Sequence, residues 1–432
     1  MTSASCKPGS RRPSAAIRLD ALDAQALVTT AALLRLGSSV RARPVAETLE
    51  LGARLMSPLG ISRVTDVTRM DRLGLPVCVS IRPRGRALCV HAGKGLRLAE
   101  ARVGALMEAV EFAVAEPQRT DWTSRSLRLD QLVAHWADEI SLFDLAPMRD
   151  QAVPPGRLVE AIRCEDVAGG RPLWLPAELI FVPFEVPGGE LLCGWSTNGL
   201  ASGNTLGEAT LHGLLEVLER DALAMNTPFD ATCWIEPSDL PQPFRELAQA
   251  WRAIGVELSV RYVPNDFGLP CFDVLLREGE GAVVDLAAGH GLHLDPHIAL
   301  ARAVCEAAQS RLSHIHGGRD DITRFYDEAL QTAGAGDPRE SRACRAAFDT
   351  RRRIAWADVP AMAMAGASVD EVLAGLLERL RALGFSKVLR HRFALELGGL
   401  HVVKVVVPRC QEIDAPWRRL GRRLYEKVLA HA

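Results

Sequence analysis

Residues 195–222 read W-S-T-N-G-L-A-S-G-N-T-L-G-E-A-T-L-H-G-L-L-E-V-L-E-R-D-A, and the rest of the chain is interpreted outward from them. Thr205 and Glu208 fit the capping-box pattern S/T-x-x-E, which predicts a helix starting there. At about 100° per residue, Glu208, His212, Glu216 and Glu219 share one helical face with Leu215 and Leu223. Carboxylates among leucines are costly to bury unless they have partners. A divalent cation serves several at once, and magnesium, an oxygen-ligated ion that bridges to phosphates, suits this donor set. The competing reading is a solvent-facing acidic stripe. The glycine-rich approach and the apolar neighbours weigh against it.

Two further segments carry polar groups in apolar surroundings. Residues 101–114, A-R-V-G-A-L-M-E-A-V-E-F-A-V, place Glu108 and Glu111 three apart with no Lys or Arg at i+4 to neutralise them. Residues 297–313 place Arg302, Glu306, Gln309 and Ser313 on one stripe, with Arg311 opposite. On spacing alone, Arg302 and Glu306 read as an i,i+4 surface pair. There is no Walker A motif, since Gly93-Lys94 is followed by Gly95. A nucleotide therefore needs another device, and residues 199–204 offer backbone N–H groups at a helix N-terminus. His290 and His293 have the spacing of a metal pair but no third ligand nearby, so they read as turn histidines. No G-x-S-x-G nucleophile elbow occurs.

The chain of 432 residues, 48% hydrophobic, is long enough for a large core. Its 51 Lys and Arg balance 53 Asp and Glu, which argues against a nucleic-acid binder. Lysine occurs only at 7, 94, 387, 404 and 427, and arginine supplies the remaining positive charge. Ten scattered cysteines without a CxxC read as buried reduced thiols. No export signal or membrane span is apparent, so a cytoplasmic location is expected.

Residues 1–18 read as disordered and 19–36 as a helix stopped at Gly37. Strands and a hairpin are expected from 62 to 90, a helix at 99–115, and two strands within 172–195 around the turn Pro187-Gly188-Gly189. Further strands are expected at 256–263, 271–277, 282–287 and 401–407, with helices at 297–314, 368–383 and 415–430. A polar stretch at 317–358 reads as an insertion. Strands arrive in neighbouring groups, so the class is α+β, with mixed or antiparallel sheets packed with helices.

The run from Ser196 to Arg220, with G-N-T-x-x-E at Gly203 to Glu208 and E-x-x-E-R at Glu216, Glu219 and Arg220, closely resembles the central signature of the YcaO family. Similarity continues in I-S-R-V-T-D-V-T-R-M-D-R-L-G-L-P-V, in G-K-G with M-E-A-V-E, and in R-A-V-C-E-A-A-Q-S-R followed by G-G-R-D-D. It implies a YcaO domain at 46–410 around an ATP cleft, flanked by the tail and helix read at 1–45 and the basic C-terminal helix read at 411–432. By this resemblance Glu108, Glu111, Glu216 and Glu219 hold Mg2+. Asn204, Glu208, Arg220, Glu306 and Gln309 line the ATP site together with Ser196, and Arg82, Lys94 and Arg319 are further phosphate contacts. Arg220 and Gln309 are the implied catalytic residues.

The implied reaction is ATP-dependent activation of a peptide backbone amide in a ribosomally made precursor peptide, giving a thioamide or an azoline. V-V-V-P at 405–408 and the wording of the N-terminal motif resemble members that work beside a TfuA-like partner, several of which form thioamides. Arg409 replaces the usual glycine after that proline, Gly104 stands where relatives often carry Ser, and the proline-rich tail of many azoline-forming members is absent. No leader-binding domain is evident before residue 45, so a TfuA-like or leader-peptide-binding partner is expected, and family members commonly form homodimers. The rival readings are a non-catalytic scaffold and an accessory factor for ribosomal-protein methylthiolation.

Overall fold

The computed structural model describes residues 33–117, 124–149, 153–186, 189–279, 282, 284–319, 352–364, 368–393, 398–412 and 419–431. In chain order, β1 (Leu34–Arg35) and β2 (Val40–Arg41) form a small hairpin, followed by α1 (Val45–Leu55). A three-stranded sheet of β3 (Arg63–Asp66), β4 (Val77–Ile81) and β5 (Val90–Lys94) leads into α2 (Leu98–Ala115). Next come β6 (Ser124–Arg128), α3 (Leu129–Trp136), β7 (Leu158–Asp166), β8 (Leu173–Pro176), β9 (Leu200–Gly203) and α4 (Leu206–Asn226). The following unit is β10 (Cys233–Ile235), α5 (Phe244–Ala253), β11 (Glu257–Tyr262), β12 (Cys271–Arg277), β13 (Leu286–Leu292) and α6 (Pro296–His316). The chain then forms α7 (Val369–Ala382), β14 (Leu389–Arg392), β15 (His401–Val406) and α8 (Arg422–His431).

Every strand-to-strand pairing between named strands is antiparallel. The central sheet runs β6-β7-β14-β15-β9 with β8 on β7, and a second runs β10-β11-β12-β13. This is the α+β architecture expected from clustered strands. Among the described residues no helix is long and apolar enough to cross a membrane, and the eight described cysteines are free thiols.

Three helices are brought unusually close to strands by glycine. A Cβ at Gly93 on β5 would sit 2.0 Å from Ala105 N on α2, one at Gly203 on β9 would sit 2.4 Å from Ala209 N on α4, and one at Gly289 on β13 would sit 2.1 Å from Ala307 N on α6. Only glycine permits those approaches, so each strand presses on the backbone of the helix that follows it. α6 buries Ala299, Ala301, Ala303, Ala307 and Ala308, whose small side chains suit this packing.

The strands at 63–94, the helices α2, α6 and α7, and the strands β11, β12 and β15 lie close to expectation. Five readings are corrected. The helix expected over 19–36 ends, in its described part, as β1, because Leu36 N bonds to Ser39 O and closes a hairpin. Among the described residues of 172–195 only β8 forms: the stretch after the turn spends its backbone on the buried Glu178 carboxylate, which accepts from Leu192 N at 2.9 Å and Gly194 N at 3.0 Å. The strand expected at 282–287 lies instead at 286–292, in register with β12. The expected C-terminal helix begins only at Arg422. Residues 199–204 are not a free phosphate loop, since 200–203 form β9 on β15. The readings for 1–18 and for most of 317–358 fall outside the described residues.

Candidate functional site

α4 begins as its sequence predicts: the Thr205 side chain accepts from Glu208 N at 3.0 Å. The capping box does not close. The Glu208 carboxylate turns to Ala42 N at 2.7 Å and to Asn204 Nδ2 at 3.1 Å, and Thr48 Oγ1 donates to Asn204 Oδ1 at 2.8 Å. The segment after β2 is thereby pinned over the start of α4. Thr48, Asn204 and Glu208 are all buried.

Glu208, His212, Glu216, Glu219 and Arg220 from α4 face one cavity of about 910 Å³. Glu108 and Glu111 from α2 and Glu306, Gln309 and Arg302 from α6 line it too, with Lys94, Ser196, Asn204 and Arg319. The volume is in the range of small-molecule sites. Each expected site residue except Arg82 therefore lines this one cavity, most of them carried by the three glycine-seated helices. Arg82 is the exception: its buried guanidinium is paired with Glu116 and does not line the cavity. Arg82 thus stands apart from Lys94 and Arg319, the other two expected phosphate contacts, which do line the cavity.

The carboxylates differ in their surroundings. Burial pushes Glu111 up to about 8, with Glu108 and Glu216 adding to the rise, although Ser202 N and Oγ donate to it at 2.8 and 2.5 Å. Burial and the neighbouring Glu219 push Glu216 up to about 7. Glu108 is also raised by burial, and accepts from Ala92 N at 2.9 Å. Glu219 is 2% exposed and accepts from Leu292 N at 2.9 Å. Glu306 behaves oppositely. Burial works against its charge, but Lys94, with Nζ 2.5 Å from Oε2, together with His290 and Arg220 holds it well below the usual carboxylate range. Burial likewise opposes the charge of Arg220, and Glu306, Glu219, Glu216 and Glu412 more than restore it.

Two groups stand differently from their sequence readings. Glu306 pairs with Lys94 from β5, so Arg302 is no i,i+4 surface partner: it lines the cavity and its Nε is buried without a hydrogen-bond partner. His290 is no turn residue: it lies within β13 and faces the cavity. Glu412, Arg41 and Thr48 also line the cavity and carried no sequence signal, and Asn198 and Ser202, which line it too, lie within the signature run from Ser196 to Arg220. Ser196 Oγ donates to Glu412 Oε1 at 2.6 Å across 216 residues of chain.

The donor set fits a magnesium nucleotide. Glu108, Glu111, Glu216 and Glu219, three of them raised by burial, face a cavity that also presents Lys94, Arg220 and Arg302. The buried Gln309 Oε1, Arg302 Nε, His212 Nδ1 and Asn198 Oδ1 on its walls are without hydrogen-bond partners. Among the described residues no three His, Cys, Asp or Glu side chains converge on one point as a metal cage. Magnesium does not need one, because it commonly takes one or two carboxylates and completes its shell with water and substrate phosphates.

Comparison with known proteins gives the family and the fold. Residues 92–411 match the family model described as YcaO cyclodehydratase, ATP- and Mg2+-binding. A protein of Methanothermobacter thermautotrophicus is 32% identical over 399 residues, covering 88% of this chain and 98% of its own. A protein in the tfuA 3′ region of Rhizobium leguminosarum bv. trifolii is 31% identical over 396 residues, covering 85% and 88%. Among solved structures, YcaO from Methanopyrus kandleri bound with AMPPCP and Mg2+ superposes with a TM-score of 0.71 at 24% identity, covering 91% of this chain and 98% of that one. A heterocyclase in complex with substrate and cofactor gives 0.71 at 21% identity, covering 93% and 57%. These two likenesses establish the fold.

Proposed function

The chain belongs to the YcaO family of ATP- and Mg2+-binding cyclodehydratases, and from that premise we propose that it activates backbone amides of a peptide by O-phosphorylation, with a thioamide as the preferred product. The observation that carries this reading is the convergence of Glu108, Glu111, Glu216 and Glu219 with Arg220 on one cavity. In this reading the four carboxylates hold Mg2+, which supplies charge neutralisation at the nucleotide phosphates. Lys94, Asn204, Glu208, Glu306, Gln309, Ser196 and Arg319 line the nucleotide, with Glu208 and Asn204 fixed by Ala42 and Thr48.

A hydrosulfide sulfur adds to the amide carbon, and the amide oxygen takes the γ-phosphoryl group of ATP as ADP leaves. The carbon–oxygen bond then breaks, inorganic phosphate departs, and loss of the sulfur proton leaves the thioamide. The step is favourable because phosphate leaves where an amide oxygen does not. Arg220, kept charged by four glutamates, is placed to neutralise charge as the phosphoryl group moves. Gln309, with an unused carbonyl oxygen, is placed to orient a donor on the substrate. With a Cys, Ser or Thr side chain as nucleophile the same activation gives an azoline. The relative from a tfuA 3′ region supports the thioamide branch and a TfuA-like partner that delivers the peptide.

The test is calorimetric titration with a non-hydrolysable ATP analogue, with and without magnesium, followed by mass spectrometry of a peptide incubated with the chain, ATP and sulfide. Saturable magnesium-dependent binding that Glu216→Gln or Glu219→Gln abolishes, and exchange of oxygen for sulfur in the peptide, are expected. Loss of one water from the peptide would favour the azoline. Wild-type nucleotide binding in both variants would sink the metal assignment.

A further inference from the structure

His290 stands opposite Asp273 in the β12–β13 register, so the two side chains share a face of the sheet. Its Nε2 is 3.5 Å from Asp273 Oδ1 and its Nδ1 is 3.7 Å from Glu306 Oε1. The backbone is tied to the same carboxylate, since His290 N donates to Glu306 Oε1 at 3.4 Å. The other oxygen of Glu306 is on Lys94. Behind Asp273, the buried Arg261 pairs with Asp273 and with Asp230, and donates to Thr232 Oγ1 at 3.1 Å. Charges thus alternate from the cavity wall into the β10–β13 sheet: Lys94, Glu306, His290, Asp273, Arg261, Asp230.

Resting on the nucleotide reading of the cavity, we propose that His290 is a positioning residue, which fixes Glu306 by clamping it to Asp273 and so orients the α6 side of the nucleotide site. A sheet residue is suited to this. Glu306 sits on a helix and its long side chain has several rotamers, whereas β13 is held by pairing along its whole length. With Lys94 on one oxygen and His290 on the other, the carboxylate is confined from both sides. An imidazole lodged between two carboxylates is favoured as its cation, since such neighbours stabilise the charged form.

The charged groups facing His290 are Asp273 from β12, Glu306 from α6 and Arg220 from α4, with Lys94 of β5 beyond Glu306. Burial and Arg220 oppose its protonation, and the two carboxylates outweigh them, so it titrates above the usual histidine value. Glu306 and Asp273 therefore favour the charged ring against burial, which by itself favours the neutral form.

The experiment combines nucleotide titration of the full chain with a double-mutant cycle and an NMR titration of the imidazole. His290→Gln is expected to weaken magnesium–AMPPNP binding about 10-fold, the scale on which residues behind a site act. In a Glu306→Gln background the same change is expected to cost nothing further, because the group it positions is already altered. The His290 ring is expected to titrate above 6.5 in the wild type and below that in Glu306→Gln, with melting temperature reporting that each variant folds. Additive losses in the cycle, or binding by His290→Gln equal to the wild type, would overturn the inference and leave the nucleotide site standing. A wild-type chain that binds no nucleotide would overturn both.

Discussion

Glu111 shows how a single side chain sets the terms for the cavity. It is held by Ser202 N and Oγ yet lies half-buried among other carboxylates, and its pKa, pushed up to about 8, lies far above the ordinary carboxylate value. For a carboxyl group raised in the folded state, the stabilising contribution is full where it is protonated in both states, below about 4.5, and is lost as pH rises through about 8. Glutamine keeps an acceptor for Ser202 and carries no charge. In metal-free protein, Glu111→Gln is therefore expected to melt at a progressively higher temperature than wild type as pH goes from 5 to 8, by differential scanning fluorimetry. Saturating magnesium and nucleotide should reverse the order, since only the ionised carboxylate is a ligand. A difference that does not vary with pH would show that Glu111 is not the group under strain.

Three strand–glycine–helix contacts build the site, each seating one carboxylate-bearing helix. Their distances leave no room for a methyl group: at Gly289 the nearest atoms are backbone, Ala307 N at 2.1 Å and Ala303 O at 2.4 Å. Gly289→Ala must push α6 off β13 and carry Glu306 and Gln309 with it. Overpacking of this kind costs about 1–3 kcal/mol. The expectation is a clear fall in urea midpoint together with weakened nucleotide binding. Gly60→Ala is the comparison: with nothing within 4 Å of its Cβ, its cost is backbone strain alone at φ +71°, and binding should survive. Equal effects of the two changes on binding would refute the seating argument.

At the scale of the whole molecule, stability toward acid depends on histidines buried uncharged. His91, in β5, is fully buried against Phe112 with ring centroids 4.7 Å apart, and both ring nitrogens are without hydrogen-bond partners. Burial, reinforced by Arg82 and Arg319, lowers it to about 3. A histidine lowered on folding contributes stability that is full above 6.5 and is lost as pH falls toward 3. His91→Leu removes the buried unpaired nitrogens, whose cost is about 1–3 kcal/mol. The variant is expected to melt higher than wild type at pH 7, and by a widening margin down to pH 4. A margin that narrows on acidification would show that the imidazole is not buried neutral.

Sequence alone determined the local pieces. Thr205 starting α4, the shared face of Glu208, Glu216 and Glu219, the pair Glu108 and Glu111, and the antiparallel strands at 63–94 all follow from spacings within a few residues, where helix and strand periodicity act. Residue resemblance extended this to a family, its fold and its cofactors, which the family match and the likeness to a solved structure bear out. Tertiary structure decided what those pieces meet. Glu208 leaves its cap for Ala42, Glu306 leaves Arg302 for Lys94 212 residues away, Arg82 turns to Glu116, and His290 moves from an expected turn into a strand facing the cavity. A buried charge goes to whichever opposite charge or backbone donor the packed chain brings within hydrogen-bonding reach. That choice is made across sheets and glycine contacts that join distant residues, and no local spacing records it.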